Sequence, residues 1–95
     1  MMNKRLLIIE DEISVAKQLK WGFGEEYEIT IALGADEARP LVASGSFSVI
    51  TLDLSLPPNP DTPQEGFKLL EEIISLTPQT KVIIITGNAE KENAV

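Results

Sequence analysis

The sequence predicts an α/β protein, a parallel sheet with helices on both faces, and two observations carry that prediction. Short continuous apolar runs rich in β-branched residues recur at 6–9, 49–52 and 82–85, and segments of helical period lie between them. Apolar runs without polar alternation suit strands covered on both faces, which is the situation inside a parallel sheet.

Taken in order, Leu6, Leu7, Ile8 and Ile9 form the first strand. Ile13, Ala16, Leu19 and Phe23 recur at intervals of three and four and predict a helix, with Gly22 and Gly24 as its stop. Trp21 and Phe23 are expected in the core or between helix and sheet. Glu25, Glu26 and Glu28 read as a solvated turn, and residues 27–32 as a weaker strand punctuated by Gly34. Ala35, Ala38, Leu41 and Val42 suggest a shorter helix that Pro40 should kink or delay.

Val49, Ile50, Thr51 and Leu52 form the third strand. Phe67, Leu70 and Ile74, flanked by Leu69, Ile73 and Leu76, predict the third helix, which Pro78 stops. Val82 to Ile85 is the fourth strand, and residues 89–95 look like the opening turns of another helix. The order is β-α-β-α-β-α-β, which right-handed crossovers fold into one parallel sheet. Between Ser55 and Gln64, Pro57, Pro58, Pro60 and Pro63 predict an ordered or semi-ordered loop.

At 95 residues the chain is one small domain or part of one. It has no Cys and no His, which excludes disulfides, thiolate metal sites, a Cys nucleophile and Ser-His-Asp catalysis. Eight basic against fifteen acidic residues give a net charge of −7, which argues against nucleic-acid or anionic-membrane contact by this segment. No apolar run approaches the roughly 18 residues of a membrane span. The N-terminus does not read as a signal peptide, so a cytoplasmic location is expected. The pair Gly22 and Gly24 resembles a piece of a dinucleotide fingerprint, but it ends a helix and lacks a third Gly.

In open α/β sheets the site lies beyond the carboxyl ends of the strands. The first strand ends in Glu10, Asp11 and Glu12, the third in Asp53, and the fourth in Thr86, Gly87 and Asn88. Adjacent parallel strands lie about 4.8 Å apart. If the first and third strands are neighbours, Glu10, Asp11 and Asp53 converge in one pocket. Three carboxylates so close repel one another, and a bound divalent cation relieves the cost. All-oxygen ligation points to Mg²⁺ or Mn²⁺, beside which an Asp is a plausible nucleophile towards phosphorus. Acids at strand ends also simply favour the next helix N-terminus, and Glu12 is expected to do only that.

The stretches Leu6 to Glu12, Val49 to Pro57 and Val82 to Gly87, with Gly66 to Leu70 in the third helix, resemble a response-regulator receiver (CheY-like) domain of two-component signalling. The resemblance implies a flavodoxin-like doubly wound sheet of order 2-1-3-4-5. It implies that Asp53 is the phosphoacceptor and that Asp11 is a direct Mg²⁺ ligand, with Glu10 acting mainly through water. The Ser55 backbone carbonyl would complete the metal shell, and Thr86 would be the switch hydroxyl. The Ser55 and Asn88 side chains would tune phosphoryl lifetime, and Gly87 leaves room for the incoming group.

Two departures stand out. Gly66 lies thirteen positions beyond Asp53, longer than the family's usual spacing, so the proline-rich loop carries an insertion. With Asn88 and residues 92–95, it resembles NtrC-type regulators of PEP-CTERM and exopolysaccharide systems. Those couple a receiver to a sigma-54-interacting AAA+ ATPase and a helix-turn-helix. Second, residues 1–95 correspond to a receiver from its first strand to the start of its fourth helix, without the fifth strand, the Lys at its end or the last helix. Neither Lys81 nor Lys91 matches that Lys. The fourth strand is therefore expected at an edge, where it would pair with another copy.

The leading function is a regulatory phosphoacceptor, not an enzyme, taking phosphate from a sensor histidine kinase and switching an output domain in transcription. A haloacid-dehalogenase-like Asp/Mg²⁺ phosphatase would want an Asp where Ser55 stands. A receiver-like interaction module that never turns over phosphate is the remaining alternative.

Overall fold

The computed structural model describes residues 4–56 and 64–85. Seven elements follow in the expected order: β1 (Lys4–Ile9), α1 (Ile13–Phe23), β2 (Tyr27–Ala32), α2 (Ala35–Ala43), β3 (Val49–Asp53), α3 (Gln64–Leu76) and β4 (Lys81–Ile85). All pairings are parallel and the sheet order is β2-β1-β3-β4. β1 and β3 are thus the neighbours that the acidic strand ends require, with Ile9 opposite Leu52.

Side chains alternate across the sheet, so each strand feeds two apolar layers. Leu7, Ile9, Ile50 and Leu52 pack under Ala35, Ala38 and Val42 of α2 and Leu69 and Ile73 of α3. Leu6, Ile8 and Val49 face the other way, against Ala16, Leu19 and Phe23 of α1. Burial on both faces explains why β1 and β3 read as unbroken apolar runs. The two helices on the first layer are also tied by Arg39, whose Nε donates to Glu72 Oε1 at 2.8 Å. No helix among the described residues is long and apolar enough to cross a membrane.

Several expectations need correction. Gly22 lies within α1, and the helix ends on Gly24 in a right-handed conformation (φ −67°). Trp21 is 88% exposed and not in the core, whereas Phe23 packs on the α1 layer and meets Tyr27 edge-on at 6.3 Å. Pro40 sits inside α2 without delaying its start at Ala35. A proline there only forgoes a bond to the carbonyl four residues back, and the short helix runs on to Ala43. In α3 the buried line is Gly66, Leu69 and Ile73, while Phe67, Ile74 and Leu76 are exposed. β4, at the edge of the sheet among the described residues, leaves Ile83 and Ile84 about two-fifths exposed, at 42% and 41%.

The prolines at 57, 58, 60 and 63, the helix expected at 89–95 and Lys91 lie outside the described residues. Lys81 opens β4, opposite Val49, at the far end of the sheet from Asp53.

Candidate functional site

β1 and β3 run side by side and end at the same level, which brings their terminal acids together. Glu10 extends the ladder, its N–H donating to the Ala32 carbonyl at 3.0 Å, before the chain turns into α1. Asp53 is the last residue of β3. Counting in twos from Ile8 and Thr51 puts both side chains on the α1 face of the sheet. Glu10 and Asp53 are only 4% and 5% exposed, and Asp11 is half-buried on the bend that follows β1.

Glu10, Asp11 and Asp53 each offer a carboxylate oxygen, and all three oxygens lie within 4.8 Å of one another. Burial of this kind is costly for charge. It pushes the Glu10 carboxyl up to about 8, opposed by the Glu12 N–H and reinforced by a side-chain hydrogen bond to Asp53 and by the charges of Asp53 and Asp11. The Glu12 N–H donates to Glu10 Oε2 at 3.1 Å. Glu12 itself stands at the N-cap of α1 but makes no side-chain cap bond, so its cap role reduces to its position. Asp53 Oδ1 accepts from the Ser55 N–H at 2.9 Å, while the Leu56 N–H closes a tight turn onto the Leu54 carbonyl at 3.1 Å. Ser55 thus sits at the centre of a three-residue turn directly beyond the acids.

Of the residues singled out in the sequence, Glu10, Asp11, Asp53 and Ser55 come together here, and Thr86, Gly87 and Asn88 lie outside the described residues. The sequence reading used Gly66 only as a landmark of the third helix and gave it no part in the site, yet its Cα rests against the backbone of Leu54. Its signal was visible: a glycine in the first turn of a helix otherwise rich in good helix formers.

The response regulator receiver domain family matches residues 6–95, and the chain belongs to that family. The chain is 33% identical over 92 residues to the regulatory protein AtoC of Escherichia coli (strain K12), covering 96% of this chain and 19% of AtoC. A crystal structure of a CheY-like response regulator receiver domain protein from Methanospirillum hungatei JF-1 is 33% identical, with a TM-score of 0.81, over 98% of this chain and 71% of that one. A response regulator from Burkholderia pseudomallei, crystallised with a phosphorylated aspartic acid, a calcium ion and citrate, is 29% identical with a TM-score of 0.78, over 90% of this chain and 48% of its own. The chain spans between 18% and 39% of the length of the curated relatives it matches.

Proposed function

We propose that this receiver domain is a working phosphoacceptor, in which Asp53 takes a phosphoryl group from the phosphohistidine of a sensor histidine kinase in the presence of Mg²⁺ or Mn²⁺. The observation that carries the reading is the meeting of Glu10, Asp11 and Asp53 within 4.8 Å, two of them buried. This donor set suits a small, hard divalent cation: all oxygen, net negative, and pushing protons onto Glu10 when nothing else neutralises it. Asp11 and Asp53 would hold the ion directly, Glu10 mainly through water, and Ser55 through its backbone carbonyl. When bound, the ion supplies charge neutralisation for the transferring phosphoryl group.

The remaining work falls to the chain. A carboxylate oxygen of Asp53 attacks phosphorus, the phosphorus–nitrogen bond breaks, and its electron pair returns to the imidazole, leaving an acyl phosphate on Asp53. The Ser55 N–H orients the attacking carboxylate through its bond to Oδ1. The added charge, about −2, would draw the Thr86 hydroxyl inward and shift the population of two states, with Gly87 making room and the Ser55 and Asn88 side chains setting the phosphoryl lifetime. The phosphorylated aspartic acid in the Burkholderia pseudomallei regulator supports this reading.

The output is a transcriptional one, as the names of three of the curated relatives suggest, through a domain that this stretch does not include. The NtrC-type arrangement, with an AAA+ ATPase and a helix-turn-helix, is the finer form of that proposal. Self-association through β4 belongs with it, since that edge strand exposes Ile83 and Ile84. A clean monomer in sedimentation at tens of micromolar would count against self-association.

The decisive experiment is incubation with acetyl phosphate and Mg²⁺ followed by intact mass, with Asp53→Asn as control. A phosphate increment in the natural chain alone supports the proposal. No increment, even in a chain extended through the family's fifth helix, leaves a receiver-like interaction module instead.

A further inference from the structure

Gly66 lies in the first turn of α3, buried, thirteen residues beyond Asp53. A Cβ built on it would stand 2.5 Å from the Leu54 carbonyl oxygen and 2.7 Å from its carbon, and closer still to its Cα. All three are backbone atoms, so no side chain can swing aside. The Leu54 carbonyl is the acceptor that closes the 54–56 turn, and the Ser55 N–H at the centre of that turn donates to Asp53. The other end of the turn is fixed as well: the Leu56 side chain has no exposure and lies in the larger core layer. Ile50, Leu69 and Ile73 belong to the same layer.

We propose that Gly66 and Leu56 are positioning residues of the acidic site. The bare Cα of Gly66 lets α3 seat on the Leu54 peptide, and the buried Leu56 holds the far side. Between these two points the turn is fixed in the orientation that aims the Ser55 N–H at Asp53. The proposal deepens the metal-dependent phosphoacceptor reading and rests on it only for its metal consequence.

The test compares Gly66→Ala and Leu56→Val with Ile73→Val. The last two each delete one methylene from a side chain without exposure in the same layer, so a general loss of packing affects both alike. Amide hydrogen exchange is measured without metal at Ser55 and at Ile8, a buried β1 residue that reports global opening. In Gly66→Ala and Leu56→Val, Ser55 exchange is expected to accelerate by about tenfold or more relative to Ile8, with no such change in Ile73→Val. Mn²⁺ titration should show about tenfold weaker binding in the same two variants. Ser55 and Ile8 accelerating in step, or Ile73→Val matching Leu56→Val, would overturn the positioning role. Should Gly66→Ala fail to fold, the Leu56→Val and Ile73→Val pair decides alone. If the natural chain does not bind Mn²⁺, the metal reading fails, and the exchange ratio still settles the positioning role.

Discussion

Glu10 and Asp53 come from different strands, forty-three positions apart in the chain, yet their buried carboxyl groups share a hydrogen bond. Only the adjacency of β1 and β3 makes that possible. Burial and the neighbouring acids raise the Glu10 carboxyl to about 8, so without a cation a proton on Glu10 serves that bond. The acidic site is therefore a stability determinant as well as a candidate centre of chemistry.

The first prediction concerns pH. Glu10 is held at about 8 in the fold against an ordinary value of 4.5, so between those limits the folded chain binds more protons than the unfolded chain. Its contribution is fully present below the lower value and is lost as pH rises through the upper one. In EDTA, the urea midpoint should fall from about pH 5 to about pH 8, and Glu10→Gln should flatten that slope. A midpoint that rises over this window in the natural chain would contradict the assignment.

Metal should reverse the penalty. Mg²⁺ at about one hundred times its dissociation constant should stabilise the fold by about 2.7 kcal/mol. Asp53→Asn replaces one carboxylate with an amide that carries N–H donors, so it should raise metal-free stability and abolish the Mg²⁺ increment. Thermal unfolding of both chains, with and without Mg²⁺, reads both effects.

Thr51 offers a test of the layer beneath the acids. It is 1% exposed on β3, between Ile8 and Ile83, and its Oγ1 has no hydrogen-bond partner among the described residues. Valine keeps the shape and removes the unpaired hydroxyl, so Thr51→Val should stabilise the domain by roughly 1 kcal/mol. Equilibrium urea unfolding checks it, and an unchanged or lower midpoint would mean that the hydroxyl is satisfied in solution.

The glycines make opposite predictions. A Cβ on Gly22 meets nothing within 4 Å, and the residue lies inside α1 with helical neighbours on both sides. Gly22→Ala should therefore add about 0.5–1 kcal/mol of stability. Circular dichroism during urea unfolding would show the gain, in contrast to any side chain at Gly66.

Much of this was legible in the sequence. The unbroken runs at 6–9 and 49–52 announced strands buried on both faces, and acids following them announced the site, because strand order then forces those ends together. What failed to read were facts about faces. Trp21 lies five residues beyond Ala16, well round the helix from the buried Ala16 and the half-buried Leu19, and hydrophobicity alone did not reveal that its side meets no layer. In α3 two apolar stripes competed, and the winner was the one continuous with Gly66, chosen by how closely the helix must approach Leu54. Repulsion among the three acids was legible, but that burial is the larger cause, and that it raises Glu10, was not, because no residue pattern encodes it.

The exposure of Trp21 has a practical consequence for anyone following this protein by light. It is the sole tryptophan in the sequence, and its indole is already in water in the native chain. Intrinsic emission should shift little when the domain melts, so it is a poor melting gauge. The same indole, standing off the outer face of α1, becomes a low-background beacon: a blue shift there would report another molecule settling onto that helix.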